Sequence, residues 1–478
     1  MGSLKKNFLY SSLLTSANYI FPLIVYPYVS RVLGVNNIGL CNFIDSIINY
    51  FTLFSMMGIS IMGIREIAAH HDDRPRMSKV FSSLLLLNTI TTVLSIIVLI
   101  AVTVIVPQLH ANWQLLMVGA IKLLFNLFLI EWFYKGIENF KFITVRSIVV
   151  RCIYVLAIFI FVRTKDDVFF YYSSTALIIV LNAIINIIYS RKFVSFSFSG
   201  LSLRPFLGPF ITLGLYTLLT SMYTTFNITY LGFARGDTEV GYYTTATKLY
   251  TILLSLYTAF TSVMLPRMSN LIANGNLTEF KHKFSQSVDG LITFSIPVIV
   301  FVLIFANRLV LLLSGPGYEG ATTPMRIIIP LMFIIGYEQI LVIQTLMPLQ
   351  QDKTIFRNSI CGAVFGVALN VILVTSMGAI GSAIVWIGAE CLILVLSQIA
   401  VTKKIGTRFP IKKLLKTIAI YLPLALILYY SNELELNYIL ILTIGTIVSL
   451  LYFLAVNLVL YPQGIVKKLI SLRSKINR

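Results

Sequence analysis

Asn42, Ser46 and Asn49 stand at i, i+4 and i+7 in an otherwise apolar stretch, so on an α-helix they share one face, with Asp45 at its border. A shift of 202 residues carries these three onto Thr244, Lys248 and Thr251, and Ser255 extends the second stripe. Amides, hydroxyls and one charge of each sign can bind a solute by hydrogen bonding and charge. No nucleophile with its base, metal cluster, phosphate-cradling loop or nucleotide motif accompanies them, which points to binding and transport and away from catalysis. A polar stripe inside hydrocarbon has two physical explanations: a wet cavity, or hydrogen bonds between tightly packed helices. Matching stripes on equivalent helices, an acid in one and a base in the other, favour the cavity.

Further groups join the same set. Thr220, Ser221, Tyr223, Thr224, Thr225, Asn227, Thr229 and Tyr230 crowd one stretch with groups that hydrogen-bond to and stack on sugars. The candidate cavity residues are therefore Asn42, Asp45, Ser46, Asn49, Lys122, Thr224, Asn227, Thr244, Lys248, Thr251, Arg308 and Arg326. The lysines would attract an anionic headgroup, whereas Arg308 and Arg326 lie near span ends where long side chains also snorkel. Asp45 and Glu338 are candidates for binding a coupling proton or Na⁺, and Glu390 for structural pairing. Asp45 and Lys248 fall at adjacent positions of the shifted alignment and are expected to approach each other in one transport state. Pro22 and Pro27 remove backbone donors from one helix and should bend or break it, as a gate or as a fixed kink. His70, His71, Asp72 and Asp73 occupy a short charged loop and read as solvated, and Cys41, Cys152, Cys361 and Cys391 lack paired spacing. No metal site and no cofactor is expected.

The elements that position these residues are apolar spans. Fourteen stretches cover 8–33, 38–64, 80–106, 114–134, 148–163, 168–190, 208–234, 241–264, 288–313, 325–347, 359–375, 379–400, 417–431 and 438–460. Most are near twenty residues and continuously apolar, which specifies membrane-spanning helices, since a barrel would alternate over about ten residues. With 58% hydrophobic and 12% charged residues in 478, and a mean hydropathy of +0.88, the chain is an all-α polytopic membrane protein. The first span has no small-residue cleavage site and reads as a retained helix.

The formal charge of +19 would suggest nucleic acid in a soluble protein. Here most cations, among them Lys5, Lys6, Arg65, Arg74, Lys79, Lys141, Arg204, Lys283, Lys413 and the tail residues Lys467 and Lys468, fall on one side of the spans. They form a belt at an anionic inner leaflet, which puts both termini in the cytoplasm and excludes nucleic acid as a partner.

The 202-residue shift also places Tyr28 on Tyr230, Gly34 on Gly236, Gly39 on Gly241, Ser60 on Ser262, Met62 on Met264, Arg65 on Arg267 and Lys79 on Lys281. Six spans separate the copies, so they have the same orientation, related by an axis along the membrane normal. The expected plan is two pseudo-symmetric six-helix lobes, 1–200 and 201–402, followed by two helices and a basic tail over 403–478.

Three segments carry a family resemblance: Arg31-Val-Leu-Gly34-Val-Asn-Asn-Ile-Gly39, the helix ending Gly63-Ile-Arg65-Glu66, and Glu131-Trp-Phe-Tyr-Lys-Gly136-Ile-Glu138-Asn-Phe-Lys141. The chain resembles, over nearly its full length, the Wzx-type oligosaccharide flippases of bacterial polysaccharide synthesis, in the superfamily of the multidrug and toxin extrusion exporters and the lipid II flippase. The resemblance implies a two-lobed transporter that alternates between inward-open and outward-open states. It would move an undecaprenyl-pyrophosphate-linked oligosaccharide across the bacterial inner membrane, driven by an ion gradient or the membrane potential. A polysaccharide polymerase and a chain-length regulator are the implied protein partners, and a monomer would suffice. Residues 10 to 30 contain no basic residue, a departure from the lipid II flippase that argues against lipid II as the substrate. A multidrug exporter of the same superfamily would prefer acidic residues around cationic drugs. A membrane-embedded polymerase or ligase would need a large periplasmic loop.

The charge asymmetry makes the topology testable. Reporter fusions after Lys79, Arg204, Lys283 and Lys413 are expected to read as cytoplasmic, and fusions near Asp167, Asp237, Glu319 and Glu433 as external. One reversal among these sites breaks the fourteen-span arrangement.

Overall fold

A computed structural model describes residues 4–196, 201–221 and 225–460. Among them the chain is helical and has no strand. Hydrocarbon offers no water to a backbone N–H, and the helix is the structure that satisfies it within its own segment. Fourteen long helices result. In chain order they are α1 (4–33), α2 (35–56, resumed as Ile59–Ala69), α3 (Arg74–Ile105), α4 (Trp113–Asn126, resumed as Glu131–Gly136), α5 (Phe140–Phe161), α6 (Val168–Ser190) and α7 (Arg204–Ser221, resumed as Thr225–Arg235). There follow α8 (Asp237–Ala273), α9 (Leu277–Ser314), α10 (Thr322–Ile328 and Leu331–Leu341, closed by a π-helical turn at Val342–Leu346), α11 (352–377), α12 (379–405), α13 (Ile411–Asn432) and α14 (Tyr438–Leu460).

Each expected span falls on one of these helices. By length and composition nine continuous stretches among the described residues can cross a membrane, and Leu9–Ala69 and Asp352–Ile405 each contain two of the helices. Ile97, Ile100, Val104 and Ile105 leave one side of α3 apolar and exposed, a surface suited to lipid. The helix pairs are separated by single glycines: Gly34 (φ 77°, ψ 170°) between α1 and α2, Gly236 (φ 85°) between α7 and α8, and Gly378 (φ 55°, ψ −129°) between α11 and α12. Only a residue without a Cβ adopts such backbone angles cheaply. By contrast α1 stays helical through Pro22 and Pro27, and Arg31 donates to the Pro27 carbonyl (2.5 Å).

The described residues pack as two compact units. The first runs through Thr244 and adds Ser314–Gly317 and Ser359–Ala389. The second comprises Thr245–Leu313, Tyr318–Asn358 and the chain from Glu390 onward.

In the first unit, Val25, Tyr26, Val29, Leu33 and Ile38 of α1 and α2 pack against Ile158 and Val162 at the end of α5, where the Tyr28 hydroxyl donates to the Val162 carbonyl (2.7 Å). At its other end the Glu131-Trp-Phe-Tyr-Lys-Gly136 segment is embedded: Trp132, Phe133 and Tyr134 are buried in a cluster with Met62, Ile67, Phe81 and Ile143. The backbone enters this segment through Ile130 in the left-handed region (φ 34°, ψ 34°), so α4 is interrupted where one straight span was expected. The Asn186 amide donates to the freed Leu129 carbonyl, its oxygen accepts from Arg146, and its backbone carbonyl accepts from Tyr134 (2.5 Å). Arg146, buried on α5, completes the knot with Glu131 (2.9 Å) and Ser147 (2.8 Å).

The loop before α3 is partly structural. His71 and Asp72 are exposed, while Asp73 accepts from the Arg76 N–H (3.0 Å) and caps α3.

A buried guanidinium that loses its carboxylate keeps the desolvation cost without the attraction. Because 37% of the Glu131 side chain is exposed and solvent screens the pair, Glu131→Gln is expected to destabilise the protein by about 1 kcal/mol, read as a lower midpoint for loss of monodispersity on heating in detergent. Stability equal to wild type would show that the pair does not hold the knot.

Candidate functional site

Part of the α2 stripe opens into a cavity of about 400 Å³ within the first unit, lined by Asn42, Asp45, Ser46, Ile48, Asn49 and Thr52 of α2, Lys122 and Asn126 of α4, Ile179 of α6, and Thr225 and Ile228 of α7. α4 supplies its two polar groups one turn apart, which aims both at the same space. Lys122 is the only charged residue of α4's first segment, Trp113–Asn126, and only 7% of its side chain is exposed. Its ammonium lies 2.6 Å from Asp45 Oδ1 and 3.8 Å from the centre of the Tyr172 ring. The same Asp45 oxygen accepts from the Tyr172 hydroxyl (2.8 Å), and about half of the carboxylate side chain, 49%, faces the cavity.

Both explanations of the stripe are realised. Ser46 is buried and accepts from Thr229 (2.8 Å), and Asn49 donates to Thr225 (3.3 Å), joining α2 to α7 by the hydrogen bonding of packed helices. Phe43 and Phe233 meet edge to face at 5.0 Å beside Gly232. Asn42, Asp45, Ser46 and Asn49 all line the cavity, Ser46 and Asn49 while bonded to α7.

Beyond this contact the beginnings of α2 and α8 come together. A Cβ on Gly39 would collide with the Asp237 carbonyl, and one on Gly241 with the Val35 carbonyl, so both helices approach to backbone contact. Thr238 donates to Asn36 (3.1 Å), and these two residues are 202 positions apart. Under that shift Gly39 maps on Gly241 and Val35 on Asp237. The two glycine contacts exchange with one another, and the Asn36–Thr238 bond maps onto itself.

Other expected residues are not among the described lining of this cavity. Asn227 is buried, accepts from Asn370 (2.5 Å) and points its amide at Tyr243 (3.4 Å), tying α7 to α11 and α8. Thr244 is buried and donates to Val240 (2.8 Å). Thr224 and the tail with Lys467 and Lys468 lie outside the described residues. Lys248 and Thr251 belong to the second unit, as do Arg308, which holds the end of α13 through the Asn432 side chain and carbonyl (2.6 Å each), and Arg326, which donates to Leu303 (3.1 Å). In that unit Glu338 of α10 and Glu390 of α12 are near enough to interact electrostatically. The coupling candidate and the structural candidate are therefore neighbours. Among the described residues no group of acids, histidines and cysteines is placed to hold a metal ion.

Thr52, Asn126 and Tyr172 were not anticipated. Thr52 and Asn126 were within reach, because they follow Asp45 by seven residues and Lys122 by four. Tyr172 carries no such signal, since an aromatic residue in an apolar span looks like packing until the fold sets it against Asp45.

Residues 4–272 match the family model described as polysaccharide biosynthesis protein, and residues 213–372 match the one described as MatE. A protein of Escherichia coli (strain K12) that bears the name of an O-antigen transporter is 28% identical over 395 residues, covering 82% of this chain and 95% of its own length. A protein of Shigella dysenteriae with the same name is 25% identical over 397 residues, covering 82% and 98%. Among solved structures, that of the lipid II flippase MurJ in an inward closed conformation superposes with a TM-score of 0.79 at 15% identity, covering 95% of this chain and 99% of that one, a likeness of fold.

Proposed function

This chain belongs to the polysaccharide biosynthesis protein family, and from that premise we propose that it is a flippase for lipid-linked oligosaccharide. The single observation that carries the reading is the cavity of amides, hydroxyls and the Lys122–Asp45 pair inside a chain of apolar helices. The physical obstacle to flipping is the transfer of a pyrophosphate and a hydroxyl-rich glycan through hydrocarbon, while a polyprenyl tail stays in lipid. A polar cavity that contains one cation addresses that obstacle. The names of the Escherichia coli and Shigella dysenteriae relatives agree with it.

In this reading the chain lies in the bacterial inner membrane with both termini in the cytoplasm, and its substrate is an undecaprenyl-pyrophosphate-linked repeat unit. Two six-helix lobes, 1–200 and 201–402, alternate access, with α13 and α14 appended. Glycan delivered outside passes to a polymerase and its chain-length regulator. Asn42, Asn49, Thr224 and Thr251 offer hydrogen bonds to sugar, Lys122, Lys248, Arg308 and Arg326 offer cations, and the Glu338–Glu390 pair is the proton-coupling element. The α2–α8 contact at Asn36 and Thr238 closes the outer side and must part to release the glycan, with Pro22 and Pro27 allowing α1 to follow.

Lys122→Ala is expected to lower surface glycan by about tenfold, the size of one lost charge-assisted hydrogen bond, at unchanged protein level in the membrane and unchanged sensitivity to cationic drugs. Wild-type export would remove Lys122 from the transport path, and a changed drug sensitivity with intact glycan would favour the multidrug exporter.

The gate has a separate test. In a background without Cys41, Cys152, Cys361 and Cys391, cysteines at positions 36 and 238 are expected to crosslink on oxidation and stop export, with recovery on reduction. A crosslinked protein that still exports would show that these helix ends do not need to part.

A further inference from the structure

The cavity contains more than a polar lining. One oxygen of Asp45, Oδ1, takes both a 2.6 Å bond from the Lys122 ammonium and a 2.8 Å bond from the Tyr172 hydroxyl. The Lys122 side chain is 7% exposed and that of Asp45 is 49% exposed, so of the two groups lining the cavity the carboxylate is the more accessible. Asn126, one helical turn from Lys122, lines the same cavity and is only 9% exposed. Its amide nitrogen is buried and donates to no acceptor among the described residues. A buried donor in that condition carries a desolvation cost that an incoming acceptor would relieve. Lys122 and Tyr172 thus present two donors from two helices to one oxygen position, the oxygen occupying it belongs to the protein, and a third donor, the Asn126 amide, stands unused in the wall of the same cavity.

We propose that Lys122, Tyr172 and Asn126 form a seat for a phosphate-type oxyanion and that the Asp45 carboxylate is its resident occupant, displaced when the pyrophosphate of the carrier lipid loads. The proposal deepens the flippase reading and rests on it for the identity of the pyrophosphate. While Asp45 is seated, the pair has no net charge to attract an anion, and a phosphate oxygen would meet the carboxylate before it met the ammonium. Displacement exposes the cation and brings a new acceptor within reach of Asn126. The groups facing Asp45 are Lys122 and Tyr172, with Cys41, Tyr154 and Tyr171 close enough to interact electrostatically with it. An empty seat is thereby kept satisfied in a setting where an unpaired ammonium would be costly. The same arrangement makes Asp45 a competitor of the substrate.

The test is calorimetric titration of the full chain, in nanodiscs of zwitterionic lipid, with inorganic pyrophosphate. Asp45→Asn keeps the shape of the side chain and removes its charge. It is expected to tighten pyrophosphate binding by about tenfold or more, the effect of deleting one like charge at contact distance. Adding Lys122→Gln or Asn126→Ala to Asp45→Asn should abolish or reduce that gain, and Tyr172→Phe should reduce it. Binding by Asp45→Asn equal to or weaker than wild type overturns the proposal, as does a gain that survives Lys122→Gln. A gain seen when phosphatidylglycerol is added to the nanodisc but absent with pyrophosphate would assign the seat to bilayer headgroups and overturn loading by the carrier. Surface glycan measured on the same variants separates the two levels. If Lys122→Gln loses export while Asp45→Asn leaves pyrophosphate binding unchanged, the seat fails and the flippase reading stands. If the binding changes appear as expected and export is untouched by all of them, the seat stands and the flippase reading fails.

Discussion

A charge carried into hydrocarbon must find an opposite charge, a proton or a water-filled space, and the internal arrangement of this protein follows from that constraint. Three buried or half-buried ionisable clusters meet it in three ways. The buried Arg146 pairs with the partly exposed Glu131 in a packed knot with Asn186 and Ser147. Glu338 and Glu390 are neighbouring carboxyl groups, and two like charges side by side in hydrocarbon would be costly. Lys122 and Asp45 pair at the wall of a cavity, where one partner is enclosed and the other faces the open space. Only the third arrangement offers a charge to something that enters from outside. The difference lies in the adjoining cavity, because the exposures of the two ion pairs are alike, 7% and 49% for Lys122 and Asp45 against 3% and 37% for Arg146 and Glu131.

The family signature around Glu131 belongs to the first kind. Its three aromatic residues are buried, and Gly63 and Gly136 let α2 and the second segment of α4 close on Trp132 and Ile67 without a Cβ in the way. The segment fixes where α4 breaks, and the break fixes the direction of the turn that holds Lys122 and Asn126. A motif so placed touches none of the described lining of the cavity.

The repeat has a physical signature stronger than its sparse identities. Gly34 and Gly236 take the same positive-φ turn. Gly39 and Gly241 make exchanged contacts with each other's helix, and Asn36 bonds the residue that the repeat makes its own equivalent. Such reciprocal contacts arise where a twofold axis passes, in one chain as in a symmetric dimer. Backbone contact of this closeness leaves no side chain to adjust, so the helix ends either meet as they do here or separate.

The sequence by itself determined the membrane class, the count and order of the helices, the repeat, and the membership of Asn42, Asp45, Ser46, Asn49 and Lys122 in one polar set. Each of these follows from local hydropathy or helical spacing, which the order of residues states directly. Tertiary structure alone decided how that set divides. Spacing puts Ser46 and Asn49 on one face but cannot say which helix faces them, and α7 turned Ser46 into an interhelical contact. Asn227 looked like a sugar ligand and became the partner of Asn370, 143 residues away. The partner of Asp45 in this structure is Lys122, 77 residues distant, with Tyr172 completing the site from a third helix. Pairing across helices depends on their rotation and depth, and these are set by the summed packing of apolar surfaces that look alike in sequence. That is why the residues of the site were legible and their partners were not.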